Sequence, residues 1–116
     1  MGLTDMWSGP MAVAAAFRDG EPGQELPTLL LSHTPDSKEL AGNDRWDLML
    51  CGHTHGGQLA LPLVGTPFAP VRDHRFVRGL NPWKDRFIHT SCGVGNVLGL
   101  RFNCRPEVNV LRLVPA

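Results

Sequence analysis

Two apolar runs of strand length, each leading into histidine, most constrain what this chain can fold into. Thr28-Leu29-Leu30-Leu31-Ser32 runs into His33, and Trp46-Asp47-Leu48-Met49-Leu50-Cys51 runs through Gly52 into His53. An apolar run without polar alternation is the pattern of a strand covered on both faces, as in a parallel sheet. Between the two runs, Thr34 is placed to N-cap a helix, with Pro35 at its first position and Asp36 in its first turn. A short helix is therefore predicted over 34–41, ended by Gly42-Asn43-Asp44. The connection is long enough for the crossover that parallel strands require. Residues 28–51 read as a right-handed β-α-β unit.

The rest of the chain has another texture. With 13 Gly and 10 Pro among 116 residues, many loops must join short elements. A strand stub is expected near residues 2–7, two helical turns over the alanine-rich 12–17, and an exposed loop at 19–23. Residues 58–70 read as loop. Strands are predicted at 75–78 and 86–91, and at 108–114, where apolar and polar residues alternate as in a half-buried strand. The predicted class is α/β, with a parallel first half and an antiparallel second half in one small domain over 1–116.

Composition removes several function classes. Eleven Lys+Arg balance 11 Asp+Glu, so nothing draws the chain to a phosphate backbone, and nucleic acid is not an expected partner. Three cysteines, Cys51, Cys92 and Cys104, are an odd number at wide spacings, which predicts reduced, buried thiols rather than a disulfide framework or a CxxC zinc site. The apolar stretch at 11–17 is too short for a signal peptide or a membrane span. A soluble, cytoplasmic chain is the expectation for the sequence as written.

The chemistry concentrates where the strands end. In open α/β sheets, ligands sit beyond the carboxyl ends of parallel strands. Parallel pairing of the two runs would bring His33, His53 and His55 to one sheet edge. Imidazole is the commonest metal ligand near neutral pH, and three of them with an open position suit a catalytic zinc. Gly52, Gly56 and Gly57 allow the backbone to approach an anion or a metal closely. Three glycines and two histidines in six residues make no sense as core packing. No carboxylate cluster accompanies the histidines. His74 and His89 carry no pattern of their own. Asp36 reads as a helix-start carboxylate placed to orient an imidazole, and Asp47 as a strand-start residue. Arg72, Arg75 and Arg78 form a solvated charged face, Arg75 among them being in reach of a substrate phosphate. Trp7, Trp46 and Trp83 read as packing residues.

Leu30-Leu31-Ser32-His33-Thr34-Pro35-Asp36 followed by Gly52-His53-Thr54-His55-Gly56-Gly57-Gln58 resembles the C-terminal half of the calcineurin-like metallophosphoesterases, and a bacterial phosphodiesterase type among them. The resemblance extends over residues 62–70, Gly93-Val94-Gly95 and residues 100–107. It implies a four-layer α/β/β/α fold in which two divalent ions share a bridging aspartate between stacked sheets. His33 and His53 would ligate one ion and His55 the other, with Mn, Fe, Zn, Ni and Mg not distinguished. The remaining ligands of the family come from DxH, GDxxD and GNH motifs, the last supplying the histidine that assists catalysis. None of the three occurs here.

The resemblance therefore implies half of a metallophosphoesterase domain, poorly active alone, beginning at an internal start or a truncation. Its substrate would be a phosphodiester or pyrophosphate, lipid-linked as in relatives that act on UDP-diacylglucosamine, and full-length relatives reach the envelope through N-terminal signals. An uncovered sheet would favour self-association or pairing with an N-terminal half. Two other readings stay open: a non-catalytic piece that docks on a separate N-terminal half, and a mononuclear zinc protein with three histidine ligands.

Overall fold

A computed structural model describes residues 27–114. The strand stub at 2–7, the helix at 12–17 and the loop at 19–23 lie outside the described residues. Strands β1 (Leu29–Leu31), β2 (Leu48–Cys51), β3 (Gly79–Trp83) and β4 (Arg86–Thr90) form one mixed sheet in the order β1-β2-β4-β3. β1 and β4 both run parallel to β2, with Leu31 opposite Leu50 and Cys51 opposite Thr90, and β3 pairs antiparallel with β4. Three parallel strands thus finish at one edge. The architecture is a mixed sheet with few helical segments, compatible with the α/β class.

The two apolar runs become strands as their sequence predicts, and the register comes from burial. Leu30, Met49 and Ile88 are fully buried and pack with Trp46, Phe76 and Trp83 in one core. Side chains of this size each stabilise the fold by roughly 1.5–3 kcal/mol when buried. Trp46 and Trp83 stack with centroids 5.5 Å apart and planes 6° from parallel, and the Trp46 indole N–H donates to the Ala41 carbonyl at 2.8 Å. As an edge strand among the described residues, β1 is covered less than a two-faced strand would be, and Leu31 is half exposed.

The predicted helix at 34–41 is shorter than expected. Pro35–Lys38 is a 3-10 helix, capped by the Thr34 hydroxyl, which accepts from the Asp36 N–H. The expected strand at 75–78 is instead the 3-10 turn His74–Phe76, because the Asp73 carboxylate accepts from the Arg75 backbone N–H and winds the chain at that point. The expected strand at 108–114 is irregular. Its side chains, including Val108 and Val110, are exposed, and no strand among the described residues pairs with it. Conversely, β3 contains Pro82, which an edge strand tolerates because the missing N–H has no ladder to serve. No helix among the described residues is long and apolar enough to cross a membrane.

Candidate functional site

The strand ends build the site. Gly52 N–H donates to the His33 carbonyl at 3.1 Å and Ser91 N–H to the Cys51 carbonyl at 2.9 Å, so the segments leaving β1, β2 and β4 stay side by side beyond the sheet. The sequence here forces a tight turn. Thr54 is buried, and its hydroxyl donates to the Val77 carbonyl at 2.7 Å while accepting from Gly56 N–H. Gly57 N–H reaches the Thr54 carbonyl at 2.8 Å. To turn this tightly, His53, His55 and Gln58 adopt φ of 67°, 51° and 54°, in the left-handed region. Such a backbone costs of order 1–3 kcal/mol per non-glycine residue and persists where the surroundings fix it, commonly at functional sites.

His33, His53 and His55 line one cleft of about 660 Å³, with Gln58, Leu59, Phe68, Pro70, Val97 and Leu98. The His33 and His53 rings lie 4.6 Å apart at 53°, and the Nδ1 of His55 is buried without a hydrogen-bond partner among the described residues. The structure thus brings together the three histidines that the sequence singles out. Among the described residues, no Asp or Glu lines that cleft. Among the described residues, no three His, Cys, Asp or Glu side chains gather closely enough to hold an ion by themselves.

The other candidates separate. Gly56 and Gly57 carry φ of 62° and 82°, whereas Gly52 needs no positive φ and has open space where a Cβ would stand. Gly95 lies against the His55 ring, 3.6 Å from its Cε1 to a Cβ position. The buried Asp36 carboxylate accepts from Arg72 N–H at 3.2 Å and faces the Lys38 ammonium at 3.8 Å, so it ties the loop at Arg72 to the first 3-10 helix. Asp47 accepts from Thr28 N–H, as a strand-start residue does.

Arg75 lies outside the cleft lining and forks onto Asp73 at 2.7 Å. The Arg75 hydrogen bonds hold the Asp73 carboxyl down at about 2, from an ordinary 3.8. A depressed carboxylate stabilises the fold above the unfolded value and loses that contribution as pH falls toward the folded one, here between about pH 4 and 2. The pair is solvent-exposed, so its share of stability is small. A ¹³C NMR titration should place the Asp73 midpoint near 2 and Arg75→Ala should return it toward 3.8; a wild-type midpoint already at the ordinary value would show that the fork does not form in solution.

Two positioning residues carry no signal in local pattern. The Gln58 amide donates to the Val97 carbonyl at 2.5 Å and accepts from Val97 N–H at 2.9 Å, across 39 residues of sequence. The Arg101 guanidinium donates to the carbonyls of His55 at 3.4 Å, Cys92 at 2.8 Å, Gly93 at 3.2 Å and Cys104 at 3.5 Å, and to that of Gly95. Together they hold the loop after β4 against the histidine turn. Only their place in the quoted motifs marked them in the sequence.

The structure sets three histidines at the carboxyl ends of parallel strands, and sequence comparison gives the family. Residues of the chain are 35% identical over 89 positions to an uncharacterized metallophosphoesterase, YkuE of Bacillus subtilis, covering 76% of the chain and 31% of YkuE. They are 28% identical over 120 positions to the UDP-2,3-diacylglucosamine pyrophosphatase LpxG of Chlamydia trachomatis, covering 97% of the chain and 36% of LpxG. The chain belongs to the metallophosphoesterase family, of which it matches a part. Its likeness is higher to the phosphodiesterase YaeI of Escherichia coli, at 54% identity over 114 residues, 98% of the chain and 40% of YaeI. The chain thus spans two fifths or less of these relatives' length. No family model matches it. No solved structure matches it either.

Proposed function

We propose that this chain contributes the histidine side of a divalent-metal centre that hydrolyses a phosphodiester or pyrophosphate bond, within a larger α/β/β/α metallophosphoesterase domain of which residues 1–116 form part. The observation that carries this reading is the shared cleft of His33, His53 and His55, with the His55 Nδ1 buried and lacking a hydrogen-bond partner among the described residues. A buried imidazole nitrogen without a hydrogen bond is costly unless something else occupies its lone pair or proton. Such a donor set fits a borderline divalent ion. His33 and His53, as neighbouring rings, would hold one ion and His55 a second. A bound ion would supply Lewis-acid polarisation of a phosphoryl oxygen.

The chain's own residues orient the ligands. Thr54 fixes the turn through Val77, and Arg101 holds the His55 carbonyl, so the backbone that carries His53 and His55 is held in place. Carboxylate ligands would come from outside the described residues, whether from a segment of a longer chain or from a separately made half. Leu59, Phe68, Val97 and Leu98 give the cleft an apolar wall suited to a lipid-linked phosphoester, the substrate kind that the name of LpxG states for that protein.

Hydrolysis of bis-p-nitrophenyl phosphate by the purified chain in Mn²⁺, with His53→Ala as control, tests the reading. Turnover that disappears in the variant is the result expected of a chain able to complete its centre. Equal rates from wild type and variant would remove His53 from the chemistry. Because three histidines line the cleft, a mononuclear zinc site is the second reading. Metal analysis by mass spectrometry separates the two, since one tightly held zinc per chain favours the latter.

A further inference from the structure

The histidine turn rests on two thiols. Cys92 follows β4 and Cys104 lies in the segment returning past the turn; both are buried, at 6% and 4% exposure, and neither is in a disulfide. Both sulfurs fall within 2.5 Å of the single point that a Cβ on Gly56 would occupy. That convergence puts them within about 5 Å of each other. The Cys104 thiol donates to the His55 carbonyl at 3.2 Å. The backbones are tied together as well: Arg101 reaches both carbonyls, Cys92 N–H donates to the Glu107 carboxylate at 2.8 Å, and Glu107 N–H to the Gly93 carbonyl at 3.0 Å. Cys51 stands apart, with its sulfur 3.3 Å from the Thr90 hydroxyl.

We propose that Cys92 and Cys104 are a reversible disulfide-forming pair that staples the loop between them, the loop whose Val97 and Leu98 wall the histidine cleft. A hydroperoxide is the oxidant by class. With hydrogen peroxide, both S–H bonds and the O–O bond break, one S–S bond forms, the two sulfurs are oxidised by two electrons in all, and two waters leave with the thiol protons. Side-chain rotation must bring the sulfurs to about 2.05 Å, a short path because they already share one pocket. Burial raises the Cys92 thiol above its ordinary value, so the pair answers to sustained oxidant rather than to a brief pulse. Oxidation removes the Cys104 donor from the His55 carbonyl and closes the 92–104 loop covalently, which restricts that loop in the unfolded chain. Any consequence for a bound ion rests on the metal reading proposed above; the bond itself does not.

The test is a non-reducing peptide map of the full chain after hours in millimolar hydrogen peroxide and alkylation of remaining thiols. Trypsin cuts after Arg86, Arg101 and Arg112 but not between Arg105 and Pro106, so Cys92 and Cys104 fall on separate peptides, 87–101 and 102–112. The expected result is these two peptides joined in a monomeric chain, Cys51 alkylated, a Tm raised by about 5 °C or more, and full reversal by dithiothreitol. Cys51→Ser should retain the joined peptides, and Cys92→Ser or Cys104→Ser should lose them. Three alkylatable thiols after oxidation, sulfinic or sulfonic acid at either position, a bond to Cys51, or a bond between chains would each overturn the proposal. Every one of these readouts is independent of metal and of hydrolysis, so failure here and failure of the phosphoesterase reading are distinguishable.

Discussion

Replacing His53 and His55 together by alanine should weaken Mn²⁺ binding by about 100-fold or more, to the point where a calorimetric titration resembles dilution of the metal into buffer. The magnitude follows from the position of the two residues. Removing only a partner that orients a metal ligand commonly costs about 10–100-fold in affinity, so deleting two ligands must exceed that range. His33 would remain as a single imidazole on the exposed segment after β1, and among the described residues the cleft lining offers no carboxylate to replace the lost nitrogens. The variant is expected to stay folded. Neither imidazole belongs to the core of Leu30, Trp46, Met49, Phe76 and Ile88, and alanine still accepts the turn that Thr54 fixes through Val77. Unfolding midpoints measured beside the titrations separate lost ligation from lost structure. Wild-type and variant isotherms that coincide, in folded proteins, would remove these histidines as ligands.

The site was more legible in the sequence than the fold around it, and the reason is physical. A continuous apolar run can be stable only where it is covered, so Leu29–Leu31 and Leu48–Cys51 announced themselves as strands. Parallel pairing then fixed which ends meet, and the histidines after those ends had to converge. Local alternation carries less information. Residues 108–114 alternate well but have no neighbouring strand among the described residues, because a strand's hydrogen bonds must be made by another segment and nothing in the alternation names one. Pro82 hid β3, since whether a strand lies at an edge is a property of the sheet and not of the run. Gln58 and Arg101 act across 39 and 46 residues of sequence, and long-range hydrogen bonds to backbone carbonyls leave no periodic trace.

A second large effect should come from one methyl group. Gly56→Ala is expected to destabilise the chain by about 3 kcal/mol, whereas Gly52→Ala, four residues earlier in the same motif, should stay within about 0.5 kcal/mol. At Gly56 two costs combine. Its φ of 62° costs an L side chain roughly 1–2 kcal/mol, and the added Cβ would collide with the sulfurs of Cys92 and Cys104. Overpacking of this kind costs about 1–3 kcal/mol more, because two buried thiols and the loop they anchor must shift. At Gly52 neither cost applies, since a Cβ there meets none of the described residues within 4 Å. Urea denaturation of the two variants measures the difference directly. A cycle with Cys104→Ala then divides the Gly56 effect: removing that sulfur should restore part of the steric share, about 1 kcal/mol, and leave the contact with Cys92 and the backbone share in place. If Gly56→Ala and Gly52→Ala unfold at the same urea concentration, the turn does not pack against the two thiols. The close seat of the histidine turn on Cys92 and Cys104 would then have to be abandoned, and with it the geometric basis for their pairing.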